Sequence, residues 1–240
     1  MHPKVLIVMT TPYSTSDSSR TLDTYFHYWE KDQVAQIFSR NWIPNKGHCA
    51  EMFQITDANL LKKWLHQPAN AGKIYTYEEM RSEDGNHVLQ GNAISTLGYK
   101  FGVRHSPGIE LLRGVLWRHK YWCTSELVNW MDQFKPDVVL YNFSNHLFTQ
   151  QIALFAAERY GIPIVAVIGD DYYFNDRPSL SPVYKLFRHT FKKLTEKILS
   201  HQSSAVYCSD KIKEKYNNYF HIHGDTVYIN SSLQRCDFQP

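Results

Sequence analysis

Apolar and polar residues alternate along the chain in blocks that predict strands and helices in turn. Residues 5–9 form a continuous apolar run between polar neighbours, which is typical of a central parallel strand covered on both faces. Similar runs predict further strands at 33–39, 51–56, 137–142, 163–169, 203–208 and 225–232, and a short additional one at 73–77.

Between these runs, apolar residues recur at helical spacing. Leu22, Tyr25 and Phe26 predict a helix after the first strand, and Pro136 and Gly161 are expected to end two later helices. The remaining helices are predicted at 57–65, 107–134, 148–160, 182–201 and 211–220.

Strands that alternate with helices need crossover connections, which make the sheet parallel. We therefore expect an α/β fold: a single doubly wound, Rossmann-like domain with a mostly parallel sheet of about seven strands flanked by helices. This domain is predicted to span 1–232. Within it, 67–106 has the polar composition of an insertion, and 233–240 is expected to begin an interdomain linker.

Composition narrows the classes of function. The formal charge of +3, from 26 basic and 23 acidic residues scattered along 240 positions, does not predict nucleic-acid binding. The four cysteines form no Cys-x-x-Cys pair, so free thiols in a reducing cytoplasm are expected. No apolar stretch approaches the roughly 20 residues of a membrane span. We expect a cytoplasmic protein, at most peripheral at the inner face of a membrane.

Hydroxyl side chains dominate the loop after the first predicted strand. Seven of the ten residues 10–19 are Ser or Thr, and none is the glycine that a dinucleotide fingerprint needs. Near a helix N-terminus these groups suit a sugar or an anion, and an ordinary turn with a capping serine explains them equally well. The candidate acceptor-binding residues here are Thr11, Ser16, Ser18, Ser19 and Arg20.

Two adjacent carboxylates and three aromatic residues follow the strand at 163–169. Asp170 and Asp171 are candidate catalytic groups, and Tyr172 offers a ring that packs on the apolar face of a pyranose. The alternative is an ordinary loop in which the aspartates only cap turns. Carboxyl ends of parallel strands gather ligands, so the position of the loop favours a site.

Three more candidate binding residues lie where other strands end. Asn142 closes the strand at 137–142, and His146 follows it as a candidate acid or base or, more commonly, a structural histidine. Ser209 is a candidate ligand and a candidate helix cap. His221 and His223 have no third ligand at a suitable spacing, so no metal site is predicted.

The helix at 184–199 interleaves basic and apolar residues. Such a pattern suits an anionic membrane surface, although a solvated basic face on a core-packed helix is the more common arrangement. Peripheral membrane contact through 184–199 is therefore one hypothesis about partners, and nucleic acid is not among them.

Several motifs, in order, resemble the N-terminal half of a GT-B glycosyltransferase of the retaining group that builds bacterial polysaccharides from nucleotide sugars. The matching segments are 4–8, 19–22, 136–139, 160–165, 205–209 together with Tyr216, and 227–230. Two departures stand out: the first loop is rich in Ser and Thr where many relatives have glycine, and Asp170-Asp171 stands where many have a histidine.

The resemblance implies an acceptor-binding domain of a two-domain hexosyltransferase. Its acceptor would be a saccharide or a lipid-linked saccharide, and a nucleotide sugar would be the donor held by a C-terminal domain or partner chain absent from these residues. No cofactor is expected on this domain, and the chain alone is expected to be inactive. The alternative is a non-enzymatic, Rossmann-like ligand-binding or interaction module.

Overall fold

A computed structural model describes residues 2–13, 20–67, 69–82 and 106–227. Its centre is one sheet of eight strands in the order β4-β3-β2-β1-β5-β6-β7-β8, in which every pairing is parallel except that of β4 with β3. The strands are β1 (Val5–Val8), β2 (Val34–Phe38), β3 (Glu51–Ile55), β4 (Gly72–Thr76), β5 (Val138–Asn142), β6 (Ile164–Ile168), β7 (Ser204–Tyr207) and β8 (His223–Thr226).

Eight α-helices connect or flank these strands within the described residues. They are α1 (Arg20–Tyr25), α2 (Asp57–Trp64), α3 (Pro107–Leu116), α4 (His119–Trp122), α5 (Ser125–Phe134), α6 (Leu147–Tyr160), α7 (Pro182–Ser200) and α8 (Asp210–Phe220), and a 3-10 turn at Lys31–Gln33 precedes β2. Among these elements no helix is long and apolar enough to cross a bilayer.

Alternate side chains of β1 enter two separate hydrophobic cores. Leu6 and Val8 join the larger core, which includes residues from α2 to α8, whereas Val5 and Ile7 join a smaller core with Leu22 and Phe26 at α1. Both faces of β1 are therefore covered, as its unbroken apolar run predicts. The α/β class and the single, mostly parallel, Rossmann-like sheet are confirmed, with eight strands instead of about seven.

The predicted long helix at 107–134 is wrong, because the segment forms three helices. α3 ends at Leu116, α4 ends at Trp122, and Thr124 then caps α5 by accepting a hydrogen bond from the Leu127 amide at 3.3 Å. The cap of a new helix breaks the apparent period, since it requires an extended residue at Thr124.

The ends of the polar insertion and of the chain also differ from expectation. The short strand predicted at 73–77 forms β4, and Tyr75 and Met80 are buried beside it, so this part of 67–106 is built into the sheet. The last strand lies at His223–Thr226, earlier than the predicted 225–232. Residues 83–105 and 228–240, including the predicted linker, lie outside the described residues.

The packing of the antiparallel edge strand β4 predicts that an alanine at Gly72 destabilises the fold more than an alanine at Gly169 does. A Cβ on Gly72 would lie 2.1 Å from Phe53 Cε1 and 2.7 Å from the Gln54 carbonyl oxygen, whereas one on Gly169 meets nothing within 4 Å. Overpacking against backbone should make Gly72→Ala destabilising by about 1–3 kcal/mol. Gly169→Ala is the matched control and should leave stability nearly unchanged. Urea denaturation tests both, and equal stabilities would contradict the close packing of β4 on β3.

Candidate functional site

A cavity of about 250 Å³ opens beside the carboxyl ends of β5 and β6. Asn145 comes from the loop after β5, and Tyr172, Asn175 and Arg177 come from the loop after β6. The start of α3 and the first turns of α7 close the remaining sides, with Ser106, Pro107, Glu110, Tyr184, Phe187 and Arg188. The wall thus combines aromatic rings, amides and charged groups, as small-molecule sites do.

Arg188 holds the loop after β6 in place. Its guanidinium donates to the carbonyl oxygens of Tyr172 at 3.0 Å and Tyr173 at 2.8 Å, and to the carboxylate of Asp176 at 2.6 Å. The Arg177 amide in turn donates to the Tyr184 hydroxyl at 2.8 Å. These contacts fix the backbone of the loop that carries Tyr172 and Arg177 before any ligand arrives.

Asn145 contributes an acceptor that the described residues leave without a partner. Its side-chain oxygen is buried and makes no hydrogen bond in the part of the chain that the structure describes. An unpaired buried acceptor costs free energy, and a ligand that donates a hydrogen bond there removes the cost. Asn145 lines the cavity, but this oxygen has essentially no accessible surface, so a ligand would reach it only after a local shift of the wall.

Behind the cavity lies a buried ionic cluster centred on Arg113. The Arg113 guanidinium contacts the Asp57 carboxylate at 3.1 Å and the Glu110 carboxylate at 3.3 Å. Trp117 donates to Asp57 at 2.5 Å, and His146 Nδ1 lies 3.0 Å from Glu110. Two carboxylates around one guanidinium tie α2, α3 and the loop after β5 together, and Glu110 extends from this cluster to the cavity wall.

His146 is structural by its surroundings. Only 8% of the residue is exposed, and its Nδ1 lies close to both Glu110 and the Arg113 guanidinium, at 3.0 and 3.1 Å. A protonated Nδ1 donates to the carboxylate and an unprotonated one accepts from the guanidinium, so either tautomer is satisfied. His146 therefore reaches the site through Glu110 rather than by lining the cavity.

The Glu110 carboxyl is ionised in this setting. Burial alone would raise its pKa, but the hydrogen bond from His146 and the charge of Arg113 outweigh burial and hold the pKa below its ordinary value. The cavity thus has a fixed negative charge at its base.

Asp170 and Tyr172 form a pair at the mouth of the sheet. Tyr172 donates to the Asp170 carboxylate at 3.0 Å. Burial, followed by this hydrogen bond, raises the pKa of Tyr172 to about 12, so the ring keeps its proton at neutral pH. Asp170 is exposed, which leaves the carboxylate accessible to an incoming hydroxyl.

Asp171 points away from Asp170 and is bound to α8. Its carboxylate accepts from the Phe174 amide at 3.1 Å, from Tyr216 at 3.1 Å and from Lys215 at 2.7 Å. Burial alone would raise its pKa, but these hydrogen bonds prevail and lower it. A carboxylate so engaged is a weak base, so its catalytic role remains a prediction that these contacts do not favour.

The other predicted residues lie elsewhere. Asn142 ends β5, Ser209 precedes α8 without making a side-chain cap bond, and the Thr11 carbonyl accepts from Gln36 at 2.9 Å. Arg20 begins α1, and nothing is described of its side chain. Ser16, Ser18 and Ser19 lie outside the described residues. Among the predicted residues that the structure describes, Tyr172 alone lines the cavity.

Sequence reasoning missed a second polar group, beside β1. Tyr13 donates a short hydrogen bond to Asp23, and His48 Nε2 lies 2.9 Å from the same carboxylate. These residues come from three separate segments, and no motif connects them. The cavity residues Asn145, Asn175 and Arg177 differ in this respect, because they lie in the two strand-end loops that the sequence indicates as a site. Their position in these loops could have identified them from the sequence.

Among the described residues no group of three His, Cys, Asp or Glu side chains is placed to hold a metal ion. No protein-family model matches the chain, and no curated protein matches it significantly. The functional interpretation therefore rests on the residues themselves.

The ionic cluster predicts that Arg113→Met is strongly destabilising. Removal of the guanidinium leaves Asp57 and Glu110 buried without their counter-ion, at a cost of about 3–5 kcal/mol. Arg159 pairs with Asp132 at 2.9 Å on the surface, and Arg159→Met should have a much smaller effect. Urea denaturation compares them, and similar losses for both variants would contradict a buried, mutually dependent cluster.

The lowered pKa of Glu110 predicts how the free energy of unfolding changes with pH. Because its folded pKa lies below the unfolded one, the unfolded chain binds the proton more tightly. The ionised Glu110 carboxylate therefore contributes fully to the free energy of unfolding at pH values above its pKa in the unfolded chain. This contribution is lost as the pH falls through its pKa in the folded protein. Glu110→Gln should flatten this acid limb of the stability curve, which lies below the ordinary pKa of a glutamate. Glu126→Gln, at an exposed position, is the control and should keep it.

Proposed function

We propose that this chain is the acceptor-binding domain of a nucleotide-sugar-dependent glycosyltransferase and that the cavity beside β5 and β6 holds the acceptor saccharide. One observation carries the proposal: the cavity lies where ligands gather on a parallel sheet, and its wall combines the amides of Asn145 and Asn175, Arg177 and aromatic rings. Its volume of about 250 Å³ suits a ligand of roughly one sugar ring.

The chemistry of the wall matches a carbohydrate. Tyr172 and Tyr184 offer ring faces for the apolar C–H face of a pyranose, and Asn145 and Asn175 offer amides for its hydroxyls. A purely apolar ligand would leave these polar groups without partners at a cost in free energy, so it fits this wall poorly.

Arg177 gives the cavity a group that binds an acidic saccharide or a sugar phosphate, on the side away from the negative charge of Glu110. Arg188 is paired with Asp176, and Arg113 is shared by the two buried carboxylates. Arg177 lines the cavity, and among the described residues no carboxylate forms an ion pair with it. It therefore offers two-pronged hydrogen bonding to a carboxylate or phosphate of the acceptor, which includes the phosphate of a lipid-linked saccharide.

In the complete enzyme a donor-binding domain or partner chain would face this cavity. The acceptor hydroxyl would then form the new glycosidic bond while the bond from sugar to nucleotide phosphate breaks, and the hydroxyl proton would pass to a base. Asp170 is the better placed of the two predicted aspartates, because it is exposed and held by Tyr172. Such an enzyme would work in the cytoplasm, in bacterial polysaccharide or glycoconjugate synthesis.

A non-enzymatic ligand-binding module is the second candidate, and the contacts of Asp171 favour it. With Asp171 fixed by Lys215 and Tyr216, one of the two carboxylates proposed for catalysis instead joins the loop to α8. The same cavity would then bind a saccharide without turnover.

Membrane contact through 184–199 receives less support from the packing of α7. Phe187, Phe191 and Ile198 are buried in the core, whereas Leu186 is 57% exposed. Lys192 and Lys197 form ion pairs with Asp176 and Glu158. The solvated basic face on a core-packed helix is the arrangement that these contacts favour.

Calorimetric titration tests the proposal with N-acetylglucosamine, glucuronic acid and glucose 1-phosphate as acceptor probes and UDP-glucose as donor probe. We expect binding of an anionic probe, a loss of affinity of about tenfold or more in Arg177→Ala, since a hydrogen bond to a charged group contributes about 1.5–3 kcal/mol, and essentially no binding of UDP-glucose.

Arg118→Ala removes an exposed arginine outside the cavity and is the matched control. Tight binding of UDP-glucose by this chain would contradict an acceptor domain. Binding of a saccharide that does not change in Arg177→Ala would contradict the proposed cavity.

A further inference from the structure

The loop after β6 carries three residues of the cavity wall but has no regular secondary structure. Tyr172, Asn175 and Arg177 line the cavity, and residues 169–181 form neither helix nor strand. Two backbone hydrogen bonds, each between residues two positions apart, are the only ones formed within this stretch. Because backbone groups need partners when they are buried, the shape of the loop depends on the side chains that bind it.

Tyr216 of α8 binds the turn that leads into the cavity wall. Its hydroxyl accepts a hydrogen bond from the Tyr173 amide at 3.2 Å and donates one to the Asp171 carboxylate at 3.1 Å. The same carboxylate oxygen accepts from the Phe174 amide at 3.1 Å. Arg188 binds carbonyl oxygens of the same turn from α7. Side chains of two helices thus hold successive peptide groups of one loop.

The Tyr216 hydroxyl is suited to this task by its burial. Tyr216 has no exposed area, and only 3% of Tyr173 is exposed. Burial raises the pKa of Tyr216, and the charge of Asp171 adds to the increase although the Tyr173 amide opposes it. The hydroxyl therefore keeps its proton, so it can donate to the carboxylate while it accepts from the amide. Without it, the Tyr173 amide would be a buried donor without its partner, which is costly.

We infer that Tyr216 is a positioning residue for the cavity, which fixes the conformation of the loop after β6 through Asp171 and the Tyr173 amide. Tyr216 is not one of the described residues that line the cavity, so its effect on a ligand is indirect. Asp171 then serves to hold the loop instead of transferring a proton. The inference deepens the proposed function and rests on it for the ligand, whereas the effect on the loop can be measured without any ligand.

The variant Tyr216→Phe tests the inference, because it removes both hydrogen bonds and keeps the ring that packs edge-to-face on Phe174 at 5.2 Å. In ligand-free protein, hydrogen exchange followed by NMR should show about tenfold or more loss of protection at the Tyr173 amide. The affinity for glucose 1-phosphate should fall about threefold or more, since binding must then also order the loop.

Tyr207→Phe is the matched control. Tyr207 is also buried, at 1% exposure, and its hydroxyl donates to Asn217 on the same helix at 2.8 Å instead of to the loop. Its removal should lower the thermal stability by a similar amount but leave the Tyr173 amide and the affinity for glucose 1-phosphate unchanged. The Ala166 amide in β6 reports on global unfolding in each variant.

Asp171 provides a second pair of variants, which decides the question if Tyr216→Phe does not fold. Asp171→Asn keeps an oxygen that can accept from Tyr216 and from the Phe174 amide, whereas Asp171→Ala removes it. The Phe174 amide should keep most of its protection in the asparagine variant and lose about tenfold or more in the alanine variant. Loss of the partly exposed pair with Lys215 should matter little.

Three results would overturn the inference. The first is equal protection of the Tyr173 amide in Tyr216→Phe and Tyr207→Phe. The second is lost protection with unchanged affinity for glucose 1-phosphate. The third is equal protection of the Phe174 amide in the two Asp171 variants. If the unmodified chain binds none of the saccharide probes, the proposed function fails, and amide exchange alone then decides whether Tyr216 fixes the loop.

Discussion

The pairing of one buried guanidinium with two buried carboxylates organises this side of the domain. Arg113 reaches Asp57 on α2 and Glu110 on its own helix, and His146 joins from the loop after β5. Desolvation of these charges is expensive, so their geometry must be satisfied together. The Arg113 guanidinium also lies over the Phe148 ring, 4.6 Å from its centroid, and Trp117 stacks on the same ring at 4.0 Å. Polar and aromatic contacts thus fix α2, α3 and the start of α6 as one unit.

This arrangement explains why α3 has two different surfaces. Because Glu110 and Arg113 turn inward, the helix delivers a fixed carboxylate to the cavity and leaves Leu112 and Val115 outside. Charge therefore lies at the cavity and apolar area at the periphery. The cavity depends equally on Arg188, which clamps the loop carrying Tyr172 in place from the opposite side.

The sheet was predictable from the sequence, because the apolar runs of its strands are continuous, as at Val5–Val8, which is buried on both faces, and at Ile164–Ile168, which is half-buried on one. The break between helices at Thr124 was not predictable from the sequence, because a single capping residue interrupts an apolar pattern that has helical spacing on both sides. The strand-end loops were predicted as the site, and Tyr172 lies there. Glu110 and Arg113 were not predicted as part of the site, because in the sequence they look like ordinary solvated helix residues. Only tertiary packing places His146 beside them, from 36 and 33 positions away.

The central claim is that the cavity beside β5 and β6 holds a saccharide. The most direct measurement is an NMR titration of the isotope-labelled chain with glucose 1-phosphate, with shift changes followed residue by residue. The account predicts saturable changes at Asn145, Tyr172 and Arg177, with smaller ones at Asp23 and His48. Saturable changes centred on Asp23 and His48, or no change at the three cavity residues at saturating ligand, would contradict it.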